Sequence, residues 1–335
     1  MIDHGSVMAS AIYSFGDRIL TQKMEGYMYR THFFERLMHL PRRIVRESIM
    51  VIDMVQLFLI NRFERESVTQ PDGPVVSLTT YGRRAQTVYL AIESIARGEM
   101  LPSRLILWID ELHLFNNLPA SIHRLQKRGL EVRLCKNYGP HKKYYPYVES
   151  QDHFDLPLVT VDDDFVYPRY WLKKLIEANR EYPDVLNCYW AKSIAMNENG
   201  FEKYRQWKDC RSTNPSFRHL ALCGGGAIFP PRLLTALRSA GGAFEACCPK
   251  GDDLWLHVQS LRSGYKVRQI LPRLPYFSFQ GIPGANQTAL SYENVTYGDG
   301  NDRQIAATYK EADVQLLQSE GRVAFRSSQP MQLTS

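Results

Sequence analysis

The chain has no apolar run of bilayer-spanning length, no secretory leader pattern, no zinc-type cysteine spacing and no dense Lys/Arg run. Each absence narrows the reading. The longest apolar stretch, Ile49–Ile60 (IMVIDMVQLFLI), is interrupted by Asp53 and Gln56 and falls short of the roughly 20 residues a membrane span needs. The N-terminus lacks a basic start followed by an apolar region and a small-residue cleavage site. The six cysteines are Cys135, Cys188, Cys210, Cys223, Cys247 and Cys248, and the adjacent pair is poorly placed for a disulfide. They read as reduced thiols of a cytosolic protein, a setting in which the sequons at Asn286 and Asn294 carry no sugar. Gly224-Gly225-Gly226 is not followed by Gly-Lys-Ser/Thr, so there is no P-loop. With no nucleic-acid motif either, the net charge of +6 points to a polyanionic ligand or an anionic membrane surface and away from nucleic acid.

What is there is a large globular chain. At 335 residues, 44% hydrophobic and 23% charged, it can bury one large α/β core with appendages. Residues 1–70 show no clear strand and are expected to form a helical N-terminal segment. Two readings of it stand level: a membrane-surface anchor through residues 20–60, with Arg42, Arg43 and Arg46 meeting lipid head groups, or a helical cap or oligomer contact. From Val75 the pattern alternates strand and helix. Strands are expected at Val75–Thr79, Arg104–Ile109, Leu130–Leu134 (nearer an edge), from Leu158, and at Val185–Trp190. Helices are expected after Tyr81, between Pro119 and Gly129, and over Arg169–Glu181. That rhythm predicts a mostly parallel sheet covered on both faces. Met196–Phe217 reads as a long polar loop with some local structure, a candidate lid over the site. Gly224–Gly226 allows close backbone approach to a ligand, or simply a tight turn. A helix opens at Gly251-Asp252-Asp253, and a tail with a helix near Asp302–Glu320 ends the chain, giving expected divisions at 1–70, 71–285 and 286–335.

The chemistry concentrates at Leu158-Val159-Thr160-Val161-Asp162-Asp163-Asp164. An apolar strand delivers three consecutive carboxylates to its carboxyl end, where open α/β sheets bind ligands. Adjacent like charges resist burial unless something neutralises them. Mg²⁺ or Mn²⁺ would do so, since these ions take carboxylate oxygen plus substrate phosphates. Alternation along an extended backbone lets Asp162 and Asp164 face one way as metal ligands, with Asp163 turned towards a ribose or a neighbouring loop. The plain alternative is a solvated acidic turn. His141-Lys142-Lys143-Tyr144-Tyr145 offers basic and aromatic groups for a phosphate and a ring, with Lys142 the phosphate candidate. Asp252 and Asp253 at a helix start are equally readable as caps.

Taken in order, Val75–Tyr81, Asp110, Asp162-Asp163-Asp164 as a DXD motif and Gly251-Asp252-Asp253 resemble a GT-A fold glycosyltransferase of the family 2-like, bacterial surface polysaccharide type, over roughly residues 73 to 280. The resemblance implies a Rossmann-like catalytic domain acting on a nucleotide-sugar donor and a glycan or lipid-linked acceptor. It places Thr79, Tyr81 and Arg83 against the nucleotide, Asp110 on its base or ribose, and Mn²⁺ or Mg²⁺ on Asp162 and Asp164. Asp253, or failing that Asp252, would be the catalytic base of an inverting transfer in the cytoplasm or at the inner face of its membrane. The QxxRW signature of processive synthases is absent. Rival readings are a haloacid-dehalogenase-like phosphohydrolase with Asp162 as nucleophile, a nucleotidyltransferase, and a calcium-dependent lectin. Three strands before Asp162, a single glycine in Thr79–Arg84, and a second acidic motif far downstream count against them in turn.

Overall fold

In a computed structural model, residues 42–273, 280–282 and 300–327 are described. The chain divides into two units, Met1–Gln56 and Leu57–Ser335. Helix α1, Arg42–Phe63, supplies the described part of the first unit and runs on into the second. In its first-unit portion Val51, Ile52 and Val55 are exposed. In its second-unit portion Leu57 and Asn61 are buried, whereas Phe58, Leu59 and Phe63 face outward. Among the described residues no helix is long and apolar enough to cross a membrane. The expected helices before Arg42 and the two sequons lie outside the described residues.

The second unit is built on a seven-stranded sheet. Its strands are β1 (Val75–Thr79), β2 (Arg104–Ile109), β3 (Leu130–Leu134), β4 (Leu158–Thr160), β5 (Val185–Cys188), β6 (Ala227–Phe229) and β7 (Lys266–Gln269). In space they run β7-β5-β6-β4-β1-β2-β3. Six strands are parallel, and β6 alone runs antiparallel to both its neighbours. The sheet is thus the largely parallel α/β sheet that the alternation predicts. β3 lies at an edge, as its amphipathic pattern requires.

The strands form because they are short, β-branched and buried: Val75, Val76, Leu78, Leu105, Ile106, Leu107, Leu158 and Val159 are all at most 2% exposed. Helices α2 (Val88–Ala96) and α3 (Trp171–Glu181) return their apolar faces to the sheet, burying Val88, Ala91, Ile92 and Ile95 from one and Leu172 and Leu175 from the other. One charge pair is buried with them. Glu93 on α2 accepts from Arg128 Nη1 at 2.7 Å and from Asn61 Nδ2 at 2.8 Å. Burial raises the Glu93 pKa, and the two donors oppose that rise.

The parallel strands all end on one side of the sheet, which puts Thr79, Asp110, Asp162–Asp164 and Trp190 at a common edge. The antiparallel β6 starts on that same side, so the turn Cys223–Gly225 arrives beside Asp162. Helix α4, Asp252–Arg262, begins there too. The described part of the tail forms two helices, α5 (Gly300–Thr308) and α6 (Glu311–Ser327), where the sequence suggested one near Asp302–Glu320. Asp313 accepts the Lys310 N–H at 2.8 Å and so caps the second at its start.

Met196–Phe217 has the local structure expected within the polar loop, and its Tyr204 lines the cavity described below. It carries the hairpin Met196–Asn197/Gly200–Phe201 and the strand Lys208–Asp209, which joins Ala191–Ser193 and His219–Ala221 in a small antiparallel sheet. Tyr204, Trp207 and Cys210 anchor it as buried groups, and Trp207 Nε1 donates to the Glu202 carbonyl at 3.0 Å. The segment is packed down because its aromatic residues Phe201, Tyr204, Trp207 and Phe217 pack towards the core.

Candidate active site

The carboxyl edge of the sheet opens into a cavity of about 900 Å³. Its lining includes Thr79, Tyr81, Asp110, Lys142, Asp162, Asp163, Asp164, Asp252 and Asp253. The two acidic motifs, remote in sequence, therefore share one chamber. Arg83 does not line it. Residues Gly82–Gln86 form a 3₁₀ turn in which successive side chains diverge by about 120°, so Arg83 is exposed and Arg84 takes the inward position.

Arg84 clamps the first acidic motif. Its Nη1 lies 3.1 Å from Asp163 Oδ1, and its Nη2 donates to Asp164 Oδ2. Asp163 is almost fully buried and also accepts from Thr80 Oγ1 at 2.6 Å. Burial, with Asp162 and Asp164 adding their repulsion, pushes its pKa up to about 6 against the pull of Arg84 and Thr80. Asp164 is likewise raised by burial and by the Asp162 charge. The solvated acidic turn is thus not what forms: these carboxylates are held by named cations and donors.

Lys143, beside the Lys142 singled out from sequence, is the residue that joins the two motifs. It is 7% exposed, with Nζ 2.7 Å from Asp162 Oδ1 and 3.1 Å from Asp252 Oδ2. Its pKa is raised by these charges in spite of burial, which on its own lowers it. Lys142 instead pairs with Asp110, and both Lys142 and Arg84 stand over the ring of Tyr81 at 5.8 and 5.5 Å. The His-Lys-Lys run after Gly-Pro contained the signal for Lys143; choosing between the two lysines required the 3₁₀ turn Gly139–Lys143.

Asp252 and Asp253 sit in the first turn of α4, behind Gly251 as the N-cap. Asp253 Oδ1 accepts from the Cys223 N–H at 2.9 Å, reaching across to the glycine turn. Burial first, and then the neighbouring Asp252 charge, raise the Asp253 pKa to about 7. Asp252 is lowered: burial opposes its ionisation, but Lys143 and His141 outweigh it. The two neighbours are pushed in opposite directions, Asp252 down by Lys143 and Asp253 up by burial, the pattern of a divided acid–base role.

The three glycines answer to side chains of this chain. A Cβ on Gly224 would stand 1.9 Å from Asp162 Oδ2, one on Gly225 2.3 Å from the Trp190 ring, and one on Gly226, at φ +112°, 2.6 Å from Trp171 Nε1. A tight turn forms and admits Asp162 and Trp190, and Gly224 and Gly225 also line the cavity. Phe165, Trp190 and Tyr204, together with Lys250 and Asn301, also line the wall and were not singled out from sequence. Asn301 arrives on α5, and Gln304 of the same helix accepts the Lys250 N–H at 2.8 Å.

All six cysteines are free, and burial pushes the Cys135 and Cys248 thiols up to about 12. His141 and His257 are buried structural residues, both lowered to about 4 by burial. His257 lies between Tyr309 Oη at 2.6 Å and the Phe217 carbonyl at 2.7 Å. The carbonyl requires a donor, so Nε2 carries the proton and Nδ1 accepts from the tyrosine.

No family model matches the chain, and no curated protein matches it. Among solved structures, the mannosyltransferase PcManGT from Pyrobaculum calidifontis, in complex with GDP-Man and Mn2+, is similar to it. That likeness spans 86% of this chain and 87% of the other, at 12% sequence identity and a TM-score of 0.46. A likeness this distant assigns no activity.

Proposed function

We propose that the protein is a metal-dependent glycosyltransferase that moves a sugar from a nucleotide-sugar donor to a saccharide or lipid-linked acceptor, with inversion. The observation that carries this reading is the convergence of Asp162–Asp164 and Asp252–Asp253 on one cavity, bridged by Lys143. In this reading residues 71–285 are the catalytic domain.

A divalent cation fits the residues present. Seven carboxylates line the cavity (Asp110, Glu111, Asp162, Asp163, Asp164, Asp252, Asp253) against four basic side chains (Arg84, Lys142, Lys143, Lys250). Asp164 Oδ1 is buried without a hydrogen-bond partner. Among the described residues no three His, Cys, Asp or Glu side chains converge on one metal position. Asp162 and Asp164 would therefore hold Mn²⁺ or Mg²⁺, with diphosphate oxygens and water completing the shell. When bound, the ion would stabilise charge growing on the leaving diphosphate.

The other roles belong to side chains. Tyr81, with Thr79 and Asp110 beside it, would receive the nucleoside. Asp253, with its pKa near 7, would take the proton of the acceptor hydroxyl, whose oxygen attacks the anomeric carbon as its bond to the diphosphate breaks. Asp252, ionised beside Lys143, would position that base and raise its pKa. Arg84 and Lys142 supply positive charge around the phosphates.

We also propose that the enzyme works at the cytoplasmic face of a membrane. The second-unit portion of helix α1 exposes Phe58, Leu59 and Phe63, and the chain is basic overall.

The direct test is turnover: release of nucleoside diphosphate from a panel of nucleotide sugars with Mn²⁺ and mixed saccharide acceptors. Asp253→Asn should lower kcat by about 10²-fold or more with KM for the donor little changed. Phosphate release from a phosphomonoester, abolished by Asp162→Asn, would instead establish the phosphohydrolase.

A further inference from the structure

The carboxylate assigned to the metal is already neutralised from within the protein. Lys143 Nζ sits 2.7 Å from Asp162 Oδ1 and 3.1 Å from Asp252 Oδ2, on a side chain 8% exposed. Lys143 is fixed from behind. It closes the 3₁₀ turn Gly139–Lys143, and the Tyr144 N–H donates to the His141 carbonyl at 3.1 Å. His141 is stacked on Phe244 at 3.9 Å between ring centroids, and its Nε2 donates to the Cys248 carbonyl at 2.7 Å. The ammonium is thus aimed by a packed aromatic cluster rather than by a free stem. A buried cation at this point competes with any other cation for the same oxygen, because the Lys143 ammonium is shielded from solvent and a second positive charge on its carboxylate partner is repelled by it.

We infer that Lys143 is a resident counter-ion that keeps free divalent metal off Asp162, so that this carboxylate accepts the metal only when it arrives with the anionic diphosphate. The diphosphate supplies the negative charge that lets the ammonium and the metal coexist at Asp162. Without it, Lys143 closes the metal position and holds the two acidic motifs together. Lys143 is in this sense a positioning residue that couples donor binding to metal binding. The inference rests on the transferase reading for the identity of the anion, but its metal-alone consequence stands apart from turnover.

The test is titration of Mn²⁺ alone into the wild-type protein, Lys143→Gln and Lys143→Arg, read by the Mn²⁺ electron paramagnetic resonance signal. Lys143→Gln should bind Mn²⁺ at least ten-fold more tightly than wild type, Lys143→Arg should match wild type, and adding Asp162→Asn to Lys143→Gln should abolish the gain. Equal Mn²⁺ affinity in wild type and Lys143→Gln would overturn the inference. Should Lys143→Gln be unfolded without metal, Mn²⁺-driven refolding followed by circular dichroism replaces the titration, and failure of Mn²⁺ to restore the fold counts against the inference in the same way. Nucleoside diphosphate plus Mn²⁺ is run in parallel on wild type. No binding there removes the transferase reading, while the metal-alone comparison still decides the role of Lys143.

Discussion

Gly224→Ala probes the acidic centre through a single methyl group. The added Cβ would stand 1.9 Å from Asp162 Oδ2 and 2.5 Å from Asp162 Cγ, distances that no non-bonded pair tolerates. The glycine backbone is not free to withdraw, since its carbonyl accepts from Tyr167 Oη at 2.7 Å and from the Asp162 N–H at 3.2 Å. The Asp162 carboxylate must therefore move, and its 2.7 Å bond from Lys143 is the contact that breaks. Overpacking of this kind costs roughly 1–3 kcal/mol, and a charge-assisted hydrogen bond is worth roughly 1.5–3 kcal/mol. Because Lys143 keeps its pairing to Asp252, the lower part of the combined range applies, about 3 kcal/mol. At about 2–4 °C per kcal/mol the melting temperature should fall by roughly 6–12 °C. Thermal melting by circular dichroism reads that loss. Calorimetry on the folded variant at low temperature should also show metal-dependent nucleotide binding weakened, because the displaced carboxylate is the assigned ligand. A variant with wild-type melting temperature and wild-type binding would refute the placement of Asp162 against the glycine turn.

Two substitutions should tilt the pH dependence of stability in opposite directions. His257 is lowered to about 4 in the fold, so the unfolded chain binds its proton first below about pH 6.5, and stability is lost on acidification, by about 2 kcal/mol at pH 5. Asp253 is raised to about 7, so the folded chain binds its proton first, and stability is gained on acidification over the same window, also by about 2 kcal/mol. Between pH 7 and pH 5, His257→Gln should therefore gain urea stability relative to wild type and Asp253→Asn should lose it; parallel profiles would contradict both assignments. On α1, Phe58→Glu combined with Leu59→Glu should abolish flotation with vesicles containing phosphatidylserine, while leaving the melting temperature within a few degrees because both side chains are exposed. Equal flotation of variant and wild type would remove the membrane proposal.

Much of the sheet was legible in the sequence because its signal is local. Val75–Thr79 and Arg104–Ile109 are short apolar runs whose boundaries the structure reproduces, and the edge position of β3 followed from its amphipathic pattern, Arg133 and Leu134 being exposed in the fold. What the local pattern misses is strand direction. Ala227–Phe229 is antiparallel because its neighbours on both sides are strands of the opposite sense, a fact fixed by pairing partners far away in sequence. The glycines before it signal close approach, but that Asp162 and Trp190 are the side chains packed on them could be read only from the fold. The same holds within the site. The grouping of both acidic motifs was anticipated from their order, but whether Arg83 or Arg84, and Lys142 or Lys143, turns inward depends on the phase of two 3₁₀ turns that residue type does not encode. Lys250 and Asn301 belong to a wall assembled by the packing of α4 and α5, and carry no motif of their own.

The central claim, that Asp162 and Asp164 hold a metal against a nucleoside diphosphate, is tested most directly by calorimetry. UDP, GDP, CDP and dTDP would be titrated into wild type and into the Asp162→Asn/Asp164→Asn double variant, each with and without Mn²⁺. One diphosphate binding only with Mn²⁺ and only to wild type is the predicted result. Nucleotide binding that ignores both the metal and the two substitutions, or no nucleotide binding to a folded wild-type protein, would contradict it.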